Sequence, residues 1–144
     1  MSDDTIETSG SCLCGATRVT AKSAHKKVGA CHCRMCRKWG GGPLIAFDCG
    51  TDVLLEGKEN ISIFNSSDWA ERGFCKQCGT HLFYRIKEGH QYILPVGLFD
   101  EDERLKFEEQ IFIDEKPSFY DFANKTNNMT GAEVFAKYAP PSTK

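Results

Sequence analysis

Cys31-His32-Cys33-Arg34-Met35-Cys36 places three thiols within six residues. On a β-strand, side chains alternate between faces, so a C-x-C pair shows both sulfurs on one side. The third thiol follows a two-residue spacer, which lets the backbone turn and aim it at the same point. Three convergent thiolates make a soft, anionic nest suited to Zn²⁺, which is most stable with four ligands. Either a distant residue closes the sphere and the site is structural, or one position stays open for water or substrate.

The surrounding chain limits the context of this stretch. It has 144 residues, 40% of them hydrophobic, with a formal net charge of -2. That is enough for one domain with a modest core, and too acidic for non-specific nucleic-acid binding, which needs clustered Lys and Arg. The segment Met1-Ser2-Asp3-Asp4-Thr5-Ile6-Glu7 lacks the cationic start and apolar run of a signal peptide, and no apolar run approaches the ~20 residues of a membrane helix. A cytoplasmic protein without membrane or nucleic-acid partners is expected. The chain has eight cysteines, and in a reducing compartment the C-x-C and C-x-x-C spacings of seven of them indicate metal rather than disulfides.

Outward from the centre, the pattern is of short β runs. Ser11–Thr20 reads as a cysteine knuckle feeding a strand, and Lys27–Cys33 as a second strand. Arg34–Trp39 reads as one helical turn broken by Gly40-Gly41-Gly42-Pro43. Strands are expected at Leu44–Cys49, Val53–Glu56, Ile61–Phe64, Trp69–Cys75, His81–Ile86 and Tyr92–Val96, with turn residues between them, which argues for an antiparallel β fold. Asp100-Glu101-Asp102-Glu103 reads as a helix opening or a solvated acidic turn, and Ile111-Phe112-Ile113 as a short strand. Thr130-Gly131-Ala132-Glu133 has the capping-box pattern, so Gly131–Tyr138 is expected to be a helix that Pro140-Pro141 ends.

The sulfurs sort into two groups. Cys12 and Cys14 form one knuckle, Cys75 and Cys78 another, each followed by a glycine; together they make a closed Cys₄ site. A metal joining such distant segments removes freedom that a small β domain would otherwise keep. Cys31, Cys33 and Cys36 remain. Cys49, at the end of an apolar strand, is read as a small buried hydrophobe, the alternative being a fourth ligand. His32 points to the face opposite its flanking thiols and is assigned to packing. His25, His81 and His90 lack ligand spacing.

Three runs carry a family resemblance: Cys-Leu-Cys-Gly at 12–15, Cys-His-Cys-Arg-Met-Cys-Arg at 31–37 and Phe-Cys-Lys-Gln-Cys-Gly-Thr at 74–80. In this order they resemble the glutathione-dependent formaldehyde-activating (GFA, CENP-V/GFA) family, over roughly residues 10–125. The resemblance implies a mainly β protein with a β-tent fold of twisted antiparallel sheets and short helices, stapled by zinc. The chain itself reads as a lead over 1–9, expected to be disordered, a single zinc domain over 10–138 and a tail over 139–144. The resemblance also implies two zinc ions per chain: Cys12, Cys14, Cys75 and Cys78 match structural ligands, and Cys31, Cys33 and Cys36 match catalytic ones. The implied activity is a carbon–sulfur lyase run synthetically, joining formaldehyde to glutathione as S-(hydroxymethyl)glutathione.

The chemistry of the residues is compatible with that. Three thiolates leave Zn²⁺ with a charge of about -1, which weakens its Lewis acidity and favours exchange of a soft sulfur ligand. Small thiols therefore suit the site better than peptides or esters. Glutathione carries two carboxylates, and Arg34, Arg37 and Lys38 flank the thiols as candidate contacts, with solvated surface as the competing reading. Trp39 and the triple glycine are candidate pocket walls, or simply core and turn. The alternative is a non-enzymatic zinc module that binds a protein partner, which a protein-derived fourth ligand at the trio would favour. The sequence carries nothing on oligomeric state.

Overall fold

The computed structural model describes residues 4–100 and 102–138. It is mainly β with antiparallel and mixed sheets. Its strands are β1 (Thr5–Ser11), β2 (Arg18–His25), β3 (Lys27–Cys31), β4 (Leu44–Asp48), β5 (Val53–Glu56), β6 (Ile61–Asn65), β7 (Ala70–Cys75), β8 (His81–Ile86), β9 (Gln91–Pro95), β10 (Lys106–Ile111) and β11 (Asn127–Met129); the helices are α1 (Arg34–Gly40) and α2 (Gly131–Tyr138). The chain divides into two compact units, one made of Met1–Val28 and Ala46–Lys106, the other of Gly29–Ile45 and Phe107–Lys144.

In the first unit, β1, β2 and β5 form a three-stranded antiparallel sheet, and the order β4-β9-β8-β7-β6 forms an antiparallel run. On β2 the apolar positions Val19 and Ala21 alternate with polar ones and are fully buried, as a half-covered sheet requires. Phe47, Leu82, Phe83 and Leu94 supply the core of the second run. Gly73 is a glycine because a Cβ there would overlap the Phe83 ring. That ring is itself held edge-on against Tyr92 at 5.3 Å.

In the second unit, β10 and β11 pair in parallel, and the backbone N–H of His32 donates to Ile111 O at 3.1 Å, so the segment leaving β3 follows β10. The capping box at α2 forms reciprocally: Thr130 N–H donates to Glu133 Oε1 at 2.7 Å and Glu133 N–H to Thr130 Oγ1 at 3.1 Å.

Three sequence expectations are corrected. Residues from Thr5 onward are not a disordered lead: they form β1, paired with β2 from Thr5↔His25 to Ser11↔Arg18. The polar TIETSGS segment has one buried face only, at Ile6 and Gly10, so its hydrophobic signal is faint. Cys33 is not on a strand. β3 ends at Cys31, and Cys33 caps α1, its Sγ accepting from Cys36 N–H at 3.3 Å. Ile111-Phe112-Ile113 is not a strand, because Phe112 takes a left-handed conformation (φ 54°) that ends β10 at Ile111 and starts a single 3-10 turn. Of the two readings of Asp100–Glu103, the acidic turn is the one that forms among the described residues: Asp102 accepts from the backbone and side chain of Arg104. The 139–144 tail, Met1–Asp3 and Glu101 lie outside the described residues.

Candidate metal centres

The first centre is built from two knuckles of the first unit. Cys12 and Cys75 each sit at the entry to a tight turn, with Gly15 N–H donating to Cys12 O (3.1 Å) and Gly79 N–H to Cys75 O (2.8 Å). Both glycines are left-handed (φ 83° and 80°), which a Cβ would penalise. The four sulfurs of Cys12, Cys14, Cys75 and Cys78 lie within 4.8 Å of one another. Cys12 Sγ is 3.6 Å from Cys14 Sγ, and Cys14 Sγ is 3.8 Å from Cys75 Sγ. A tetrahedron with Zn–S bonds of about 2.3 Å has sulfur–sulfur edges of about 3.8 Å, so the set fits such an ion.

Hydrogen bonds aim at these sulfurs. Thr17 N–H donates to Cys12 Sγ and Gln77 N–H to Cys75 Sγ, both at 3.3 Å. Thr80 Oγ1 lies 3.1 Å from Cys78 Sγ and accepts from Leu13 N–H at 3.1 Å, which links the two knuckles through one hydroxyl. The charges follow. Burial pushes the Cys12 thiol up, but the Thr17 hydrogen bonds outweigh it and bring it down to about 7. The Thr80 hydroxyl, with backbone help, lowers Cys78 to about 5. Cys14 is raised to about 12: an N–H from Ala16 pulls it down, but burial and hydrogen bonding to the other thiols outweigh it. The hydrogen bonds at Cys12 and Cys78 thus favour the charged form of each.

The second centre lies in the second unit. Cys31 leaves β3, Cys33 caps α1 and the buried Cys36 sits in its first turn, and their sulfurs again lie within 4.8 Å of one another. Hydrogen bonds from Cys31 and Cys36 hold the Cys33 thiol far below its ordinary range, against burial. Cys31, bonded to those same thiols and buried, is pushed far up. Among the described residues no histidine, carboxylate or further cysteine joins this trio. Cys49 is buried in the first unit, its S–H donating to Phe47 O at 3.6 Å, and burial raises its pKa.

His32 is fully buried behind the trio. Its Nδ1 is 2.8 Å from Tyr120 Oη and its Nε2 is 2.8 Å from Gln110 Oε1. The Gln110 carbonyl can only accept, so Nε2 carries the proton and Tyr120 donates to Nδ1. Arg37 does not reach outward as a free cation: its Nε–H donates to His32 O at 2.8 Å, clamping the backbone between two thiols. Arg34 and Lys38 are exposed, and Arg34 N–H is held by Glu115 Oε1 at 2.9 Å. Gln110 and Tyr120 had no signal in the sequence; each acts on His32 through a contact that only the folded chain creates. Thr80 lies in the run at 74–80 but carries no assigned role there.

The model of the family described as "Glutathione-dependent formaldehyde-activating enzyme" matches residues 7–115. The chain belongs to this family. A relative in Schizosaccharomyces pombe, named an uncharacterized lyase, is 41% identical over 129 residues, covering 89% of this chain and 94% of that protein. A Halomonas elongata protein, named a putative glutathione-dependent formaldehyde-activating enzyme, is 34% identical over 83 residues, covering 51% of this chain and 53% of its own. Against that second relative the chain spans about half the length. A crystal structure of a Rhodobacter sphaeroides protein superposes with a TM-score of 0.56 at 23% identity, over 65% of this chain and 89% of that one, which shows a shared fold. In this member of the GFA family, then, both cysteine clusters can hold metal ions, and no helix is long and apolar enough to cross a membrane among the described residues.

Proposed function

We propose that this protein is a zinc-dependent carbon–sulfur lyase of the formaldehyde-activating type, acting on the adduct of a small thiol and an aldehyde, with glutathione as the thiol. The observation that carries this reading is the trio: three sulfurs close enough to share one ion, with no fourth protein ligand among the described residues. The family and its lyase-named relative support it.

Zinc bound there would supply a position at which a thiol is held deprotonated. The chain does the rest. Cys31, Cys33 and Cys36 would hold the ion, with Cys36 N–H fixing the direction of Cys33 Sγ. Arg37 and His32 keep the backbone between Cys31 and Cys33 in one conformation. Arg34 and Lys38 are the exposed cations nearest in sequence for a substrate carboxylate. In the reaction the glutathione sulfur attacks the formaldehyde carbon, a C–S bond forms, the C=O π pair moves to oxygen, and the proton lost from the thiol ends on that oxygen. Cys12, Cys14, Cys75 and Cys78 would hold a structural ion. All eight cysteines are free, which suits a reducing cytoplasm.

Calorimetric titration of glutathione into zinc-loaded protein tests this, followed by NMR detection of S-(hydroxymethyl)glutathione formed from formaldehyde above the uncatalysed rate. Heat on titration and catalysed adduct formation are expected. No heat and no thermal protection would exclude glutathione as the thiol, and would favour a non-enzymatic zinc module instead.

A further inference from the structure

The second unit contains a cleft of about 460 Å³ that neither cysteine cluster lines. That volume lies within the ~300–1,000 Å³ usual for small-molecule sites. We propose that this cleft, between Gln110 and the segment Asp121–Asn128, binds the zwitterionic amino-acid head of a peptide thiol. The proposal rests on the reading above and supplies its substrate contact.

The inner wall is built rather than incidental. Gln110 lines the cleft and is buried, with both ends of its carboxamide committed: Oε1 accepts from His32 and Nε2 donates to Thr126 Oγ1 at 2.9 Å. Thr126 in turn donates to Asn128 Oδ1 at 2.6 Å. With its carbonyl taken, Asn128 has an NH₂ to offer a ligand. Phe122 adds an apolar surface, its ring 6.0 Å from that of His32.

Three charged side chains line the cleft, Lys116, Asp121 and Lys125. Lys116 is spent inside the fold, donating to Pro117 O (3.0 Å) and Tyr120 O and pairing with Asp121 Oδ1 at 2.7 Å. The Asp121 side chain is nevertheless 79% exposed, so its second oxygen is available to an ammonium group. Lys125 is exposed on the same cleft and suits a carboxylate, with the Asn124 amide beside it. A cation and an anion flanked by amides match an α-amino acid. Gln110 of the cleft holds the His32 ring, and His32 stands between Cys31 and Cys33 in the chain.

The test uses S-methylglutathione, whose blocked sulfur cannot form a thiolate, against zinc-loaded full-length protein with ¹⁵N NMR detection. Shifts are expected at the amides of Asn124, Lys125 and Asn128. Lys125→Glu is expected to weaken binding at least tenfold, with the circular dichroism spectrum unchanged. Glutathione lacking its α-amino group is expected to bind the wild type more weakly, yet to bind wild type and Asp121→Asn equally. Shifts confined to other residues, or affinity indifferent to Lys125→Glu, would overturn the proposal. The functional reading is read separately, from the thiolate absorption of cobalt-loaded protein on adding glutathione. A spectral change with a silent cleft refutes only the cleft; cleft shifts with an unchanged spectrum refute only the reaction at the trio.

Discussion

The hydroxyl of Tyr120 lies 2.8 Å from Nδ1 of His32, a partner 88 positions away in the chain. Since His32 is fully buried, that hydroxyl is what satisfies the nitrogen away from water. Tyr120→Phe keeps the ring, which packs 5.6 Å from the imidazole, and removes only the donor. Leaving a buried acceptor unsatisfied costs ~1–3 kcal/mol, so chemical denaturation should show a loss of that size. An unchanged midpoint and slope would mean that water reaches Nδ1.

The Thr80 hydroxyl serves both knuckles of the Cys₄ centre. Thr80→Val removes a bond to Cys78 Sγ and orphans Leu13 N–H; loss of such supporting partners typically weakens metal binding roughly 10–100-fold. Competition with a chromophoric chelator compares the variant with wild type, and equal affinities would show that the hydroxyl at 80 does not orient the thiolate.

Gly73 faces the ring of Phe83, which is completely buried and flanked by Tyr92. Gly73→Ala drives a methyl into a ring that has nowhere to move. Overpacking of this kind costs ~1–3 kcal/mol. Gly97→Ala is the control, since a Cβ there meets nothing within 4 Å. Thermal melts of both variants should show a lowered midpoint for the first only.

What the sequence revealed and what it hid follow one physical division. The knuckles, the α2 capping box and the bounds of β5 and β8 were legible because each is set by residues within a few positions: C-x-C-G, T-x-x-E, short apolar runs between turn residues. β10 and β11 were not legible, because KFEEQI is half charged and NNM is mostly polar, and both are held by pairing within their sheet. The substrate side suffered most. Arg37 looked like a free cation beside the thiols, yet its guanidinium is used on His32 O. Gln110 and Tyr120 lie 78 and 88 residues from His32, and no local pattern marks them.

The two centres should respond differently to losing a sulfur. Cys78 belongs to a cluster that brings Cys14 and Cys75 together across 61 residues, so an ion held there would close a long loop. Structural zinc contributes on the order of 10–16 kcal/mol, comparable to the roughly 5–15 kcal/mol by which whole domains are stable. Cys78→Ser should therefore yield an unfolded chain. Cys33 belongs to a cluster spanning six residues at one end of β3, where α1 is already closed by Gly41 in the left-handed conformation at its C-terminus. Losing that ion opens no long loop. Cys33→Ser should bind one zinc fewer than wild type and keep its far-ultraviolet circular dichroism. Metal counting on both purified variants, with spectra in parallel, decides the matter: equal unfolding would show that the trio is as structural as the quartet, and the open-site reading would then lose its footing.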